Sequence, residues 1–247
     1  MLNQILRELV TSDAGSSNVL AQDFVLEVGH TGPLASLSID SEQVSVLENP
    51  LAVRRELQLF TESEALRVVL GLCLEGPGAA REWLQNEGSA FQREPKAEDI
   101  QKLKLDQGAT GFYWSWLADG SLAFAAFARH NFMATLNGRL ATIHAVAAAI
   151  DHDVCALKTI PVSEIAQIEA RSVEHIAAGG RFDLPVSDAP ESQLFFIATG
   201  GAVNRDPAAS GHYYYRAGQH QGRHTIDILR VGRGLLPERT RVSIQIG

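Results

Sequence analysis

The sequence predicts an α+β fold, with antiparallel sheet built from hairpins and covered by helices, in a single domain spanning residues 1–247. Three observations carry that expectation. An Asp-Gly turn lies inside the apolar run Gly111 to Phe127, several segments repeat apolar residues at helical spacing, and strand-like segments near the C-terminal end succeed one another without regular β-α alternation.

From the N-terminus, Leu2, Ile5, Leu6 and Leu9 share one helical stripe, and Thr11 to Asn18 is a polar loop. Phe24, Leu26 and Val28 alternate as in a strand. Leu34 to Ile39 and Val44 to Leu47 read as two more short strands joined by Asp40-Ser41-Glu42. Thr61-Glu62-Ser63-Glu64 has the capping-box pattern, in which hydroxyl and carboxylate satisfy the first amides of a helix; that helix is expected to run to about Leu74. Gly76-Pro77 ends it, and Gly78 to Gln85 reads as a second helix. The alternative is a strand over Val68 to Leu74, whose succeeding loop, Glu75 to Gly78, presents amides to an anion. It lacks the Lys-Ser/Thr ending of a nucleotide phosphate loop. Gly88 to Pro95 reads as a linker, and Lys96 to Gln107 as a charged, exposed helix.

Asp119-Gly120 suits a type I′ turn, because Asp and Gly tolerate the positive φ needed at both central residues. A two-residue loop sets Trp116 opposite Ala123, Trp114 opposite Ala125 and Phe112 opposite Phe127. Neither face of this hairpin is polar, so it is expected to be covered on both sides. Two indoles against two alanines read as core interdigitation, with an aromatic-walled ligand pocket at Trp114 and Trp116 as the sharper reading.

Asn131 to Ile150 is the most convincing long helix, with Leu136, Leu140, Ile143, Ala147 and Ile150 recurring on one stripe and His144 at its margin. Ser163 caps a further helix over Glu164 to Ala178, stopped by Gly179-Gly180. Arg181 to Ser192 is a loop, and four strands come after it at Leu194–Thr199, His212–Gln219, His224–Val231 and Arg241–Ile246. Thr199 to Gly211 is long and polar enough for a flap or ligand loop. A turn at Gln221-Gly222 places Arg216 opposite Asp227 and Tyr213 opposite Arg230. It also puts His220 and His224 on opposite faces, so they do not form a helical zinc motif, and no metal site is assigned.

Composition is that of an ordinary globular protein, at 45% hydrophobic and 20% charged residues, which excludes long disorder. The N-terminal stretch lacks a basic region and a continuous apolar run, and no apolar segment reaches the roughly 20 residues of a membrane span, so the expectation is a soluble, cytoplasmic protein. Cys73 and Cys155 read as reduced, buried small side chains. Residues 1–110 hold 9 basic and 17 acidic side chains and residues 111–247 hold 12 of each, suggesting an acidic first part and a core part. Overall acidity disfavours nucleic-acid binding.

The leading site candidate is Arg129-His130-Asn131, at the expected junction of hairpin and helix. There His130 is the candidate catalytic residue, Arg129 and His130 suit an anionic group, and Asn131 caps the helix. Trp114 and Trp116 extend that ligand site, and His212, Tyr214 and Arg216 form a second polar strand face. No cofactor is implied. Three functional classes are open: a binder of a small anionic or aromatic ligand, enzymes of small-molecule metabolism included; a non-catalytic subunit that joins a protein partner or its own copies; and nucleic-acid contact through the six arginines after residue 215.

Overall fold

Segments expected to be helices are strands, and this changes the fold class. The structure, a computed structural model, describes residues 17–22, 24–30, 32–89, 99–106, 109–161 and 169–247. Strands make up about half of it, in several largely antiparallel sheets, and only two α-helices occur among the described residues. The helix-covered α+β expectation is therefore corrected to a mostly β chain. It divides into two units, Met1–Ala166 and Gln167–Gly247. No helix among the described residues is long and apolar enough to cross a membrane.

In the first unit the strands are β1 (Ser17–Val19), β2 (Ser38–Glu48), β3 (Leu51–Phe60), β4 (Ala65–Cys73), β5 (Gln101–Lys102), β6 (Thr110–Ser115), β7 (Ala123–Arg129), β8 (Phe132–Gly138) and β9 (Thr159–Pro161). The helices are α1 (Pro77–Ser89) and α2 (Leu140–Cys155). Seven strands form one antiparallel sheet in the order β2-β3-β4-β8-β7-β6-β5, while β1 pairs with β9. The capping-box tetrapeptide makes the hydrogen bonds that its sequence promises, since Thr61 Oγ1 accepts from the Ser63 and Glu64 amides. It uses them to turn β3 into β4. That second strand is buried on both faces, so its apolar residues show no alternation, and the strand alternative over Val68 to Leu74 is the one realised. The same holds for β8, which occupies residues expected to start a long helix; the helix begins at Leu140.

Each sheet face carries a helix. On one, Ala80, Trp83 and Leu84 of α1 join Phe112, Trp114, Phe124, Ala126 and Met133 in a single buried cluster. On the other, α2 buries Ile143, Val146, Ala147 and Ile150. The β6–β7 hairpin is covered on both sides as expected, but its register is shifted by one: Trp114 pairs with Phe124, and Phe112 with Ala126. The turn is wider than two residues, with the Trp116 amide bonded to the Leu122 carbonyl and the Gly120 amide to that of Leu117. A one-residue shift exchanges faces. Trp114 therefore shares a face with Phe124, and the alanines at 123 and 125 lie on the opposite face of β7.

Smaller corrections concern the flanks. Residues 24–28 are irregular, although Phe24 and Leu26 are buried, and the two strands expected between 34 and 47 are one strand, β2, with a bulge near Asp40. Gly88 lies in the last turn of α1 rather than opening a linker, and Gln101–Lys102 is strand rather than helix. The N-terminal stripe Leu2 to Leu9 and the Ser163 cap lie outside the described residues.

The second unit contains β10 (Glu169–Ile176), β11 (Arg181–Ser187), β12 (Gln193–Ala198), β13 (Gly201–Arg205), β14 (His212–Ala217), β15 (Gly222–Val231) and β16 (Glu238–Ile246). Four strands form the sheet β10-β16-β15-β12, in which β10 and β16 are parallel, and three form the antiparallel sheet β11-β14-β13. The expected helix over 164–178 is thus strand in its described part, and the expected loop over 181–192 begins with β11. All four C-terminal strands are present within a few residues of their expected bounds. The hairpin expected between the middle two is not: β14 and β15 belong to different sheets. Tyr215 and Ala217 from one sheet meet Ile226, Ile228, Val242 and Ile244 from the other in one core, so each strand keeps its alternation while facing the other across the core.

Candidate functional site

The junction after β7 is a tight turn. Arg129 pairs with Phe132, so His130 and Asn131 are the two turn residues, and His130 adopts φ 53, the only positive φ of a non-glycine residue among those described. A positive φ at the first central position alone is the type II′ pattern, ordinarily a glycine site.

All three junction residues bind other parts of the unit. Asn131 caps no helix; it is fully buried, its Oδ1 accepts the Val19 amide at 2.7 Å and its Nδ2 donates to the Cys73 carbonyl at 3.0 Å, tying β1 and the end of β4 to the turn. Arg129 grips Asp151 of α2 with two hydrogen bonds, Nε to Oδ1 at 2.7 Å and Nη2 to Oδ2 at 3.0 Å, and also donates to the Asp106 carbonyl. Burial opposes its charge, yet the Asp151 carboxylate outweighs that and holds the guanidinium pKa above its ordinary value. The His130 Nδ1 lies 3.1 Å from Ser17 Oγ, and burial, with the Arg129 charge beside it, pushes the imidazole pKa down against a smaller raising effect from the Ser17 contact.

The tryptophans are placed apart from this turn. Trp114 is fully buried, 4.5 Å from the Phe124 ring and edge-on to Trp116 at 5.6 Å. Of the two cysteines, Cys73 is buried, with its thiol pushed up to about 12 by burial and by Glu75, whereas Cys155 is exposed, contrary to the expected burial.

His212, Tyr214 and Arg216 do come together. They alternate on β14, and their face is the outer face of the three-stranded sheet, opposite the face that buries Tyr215. Register adds Arg181 and Asp183 from β11 and Ala202 and Asn204 from β13. The Arg181 guanidinium sits 4.2 Å from the centroid of the Tyr214 ring and pairs with Asp183 and Asp206. Arg216 is exposed, directly across the strand from Arg181.

The cross-strand partners differ from those a β14–β15 hairpin would have made. Asp227 lies opposite Arg241, not Arg216, and receives hydrogen bonds from Arg239 and Arg241. Burial raises its carboxyl pKa, but these two guanidiniums outweigh that and hold it below the usual range. Tyr213 lies opposite Arg205, and its hydroxyl donates to Asp188 at 2.6 Å. His224 is buried, with Nδ1 2.9 Å from the Thr199 carbonyl, which also accepts from the Tyr215 hydroxyl at 3.0 Å. Sequence reasoning misses this buried polar group. Its one signal is the pair of glycines at 200 and 201, where any added Cβ would overlap the His224 and Tyr215 side chains.

Comparison with known protein families and with curated proteins gives no match.

Proposed function

We propose that the chain is a cytoplasmic ligand-binding protein whose second unit receives a small anionic or aromatic ligand on the face formed by His212, Tyr214 and Arg216. One observation carries this reading. Of the six arginines after residue 215, five make a side-chain hydrogen bond or ion pair: Arg223 with Ser243, Arg230 with Ser192, Arg233 with Glu191, and Arg239 and Arg241 with Asp227. Arg216 alone has no such partner among the described residues, and it stands beside a tyrosine already held by a second guanidinium. An exposed guanidinium with a fork of donors suits a carboxylate or phosphate, and a tyrosine ring two residues away adds a stacking surface for an aromatic body.

The test is titration of the full chain with salicylate and with inorganic phosphate, read by amide chemical shifts. Arg216→Ala is expected to weaken both by about tenfold, equivalent to about 1.4 kcal/mol, and Tyr214→Ala to weaken salicylate alone. Unchanged affinities in both variants would refute the assignment. The engagement of the other five arginines also weighs against the nucleic-acid reading.

A further inference from the structure

The turn between β7 and β8 carries a histidine where the backbone favours glycine. At φ 53 an L side chain is strained, and strain of this kind is kept where the side chain has a task. The other contacts of the turn account for its neighbours, Arg129 through Asp151 and Asn131 through Val19 and Cys73, and none of them calls for an imidazole at position 130. What the imidazole reaches is Ser17, the first residue of β1, with Nδ1 3.1 Å from Oγ.

Both members of this pair are braced from behind. β1 is held by its pairing with β9, Ser17 opposite Pro161, and by the bond from the Val19 amide to Asn131. His130 stands between Arg129 and Asn131, whose side chains are buried and hydrogen-bonded. Ser17 and His130 themselves are half-buried, so a small molecule can reach them. Burial and the Arg129 charge beside the ring favour its neutral form. With its proton on Nε2, that ring accepts the Ser17 hydroxyl proton at Nδ1, the arrangement in which a base makes a serine nucleophilic. No carboxylate contacts the imidazole among the described residues, so the pair is a dyad. Without a third group to stabilise the imidazolium, it suits esters with good leaving groups rather than amides.

We propose that Ser17 is a nucleophile toward activated carboxylic esters, with His130 as its general base. Ser17 Oγ adds to the carbonyl carbon while its proton passes to His130 Nδ1; the ester C–O bond then breaks, and the departing oxygen takes up that proton. Water next gives a proton to Nδ1 and its oxygen to the acyl carbon, which releases the carboxylic acid as the proton returns to Ser17 Oγ. The site lies wholly in the first unit and does not depend on the anion-binding face proposed for the second.

The full chain is incubated with p-nitrophenyl dimethylcarbamate, an activated ester whose acyl-serine product hydrolyses slowly, and carbamoylation of Ser17 is timed by peptide mass mapping. Labelling of Ser17 is expected, at a rate that levels off above pH 7, where the imidazole is neutral and Arg129 keeps its charge. His130→Gly should lower that rate at least about a hundredfold, the low end of general-base assistance. Its thermal midpoint should not fall, because glycine suits the positive φ. Absence of the carbamoyl group from Ser17 would overturn the proposal. So would labelling of His130→Gly at the wild-type rate, or a wild-type rate that keeps rising tenfold per pH unit from 7 to 9, as for an unassisted hydroxyl.

Discussion

Arg129 carries its charge inside the first unit because Asp151 meets it there; the two side chains are 6% and 1% exposed. Removing one member of such a pair leaves an uncompensated buried charge, which typically destabilises by about 3–5 kcal/mol. Asp151→Ala should accordingly lower the urea stability of the protein by that order, with Arg129→Met in the same chain recovering part of the loss; additive losses would contradict a direct pairing. His144 makes a different residue-scale statement. Its ring meets Tyr113 edge-on at 4.3 Å, its Nε2 is buried without a hydrogen-bond partner among the described residues, and burial lowers its pKa from the ordinary 6.5. The unfolded chain therefore takes up the proton first. The stabilisation is complete above the unfolded value of about 6.5 and is lost as pH falls through the lower folded value. His130 is depressed in the same direction. His144→Phe, which keeps the aromatic contact and cannot titrate, should flatten the fall in urea midpoint between pH 7 and pH 5; an unchanged slope would assign that fall to other groups.

At the scale of elements, the contact between β4 and α1 depends on a missing side chain. A Cβ at Gly71 would overlap the Trp83 ring, whose indole N–H is held by Glu87 at 3.1 Å. Gly71→Ala should destabilise by about 1–3 kcal/mol through overpacking, and Trp83→Leu should destabilise by itself through lost burial. In the double variant the leucine makes room for the new methyl, so the combined loss should be smaller than the sum when urea midpoints of all four proteins are compared. The same elements show what is legible in sequence. Strands β12, β14, β15 and β16 can be located because their apolar and polar residues alternate or their turns are marked by glycine. β4 and β8 mislead because burial on both faces removes alternation, and a run such as Val68 to Leu74 then looks like helix or strand equally well. The Thr61 capping pattern compounds the ambiguity, since the same hydroxyl-to-amide bonds close a hairpin turn.

For the whole molecule, charge tracks the division of the chain. Residues 167–247 carry nine Lys and Arg against eight Asp and Glu, a net charge of +1, and residues 1–166 carry twelve against twenty-one, a net charge of −9, so the acidity of the chain belongs to the first unit. The composition, the C-terminal strands, the two-sided burial of the β6–β7 hairpin and the exposed polar face of β14 can all be read from local pattern, because each depends on neighbours within a few residues. The fate of Arg129 and Asn131, the one-residue register of the hairpin and the separation of β14 from β15 are decided by tertiary structure alone. The first two depend on partners far along the chain, Asp151 for Arg129 and Val19 and Cys73 for Asn131, and local periodicity contains no information about which distant segment will meet a side chain.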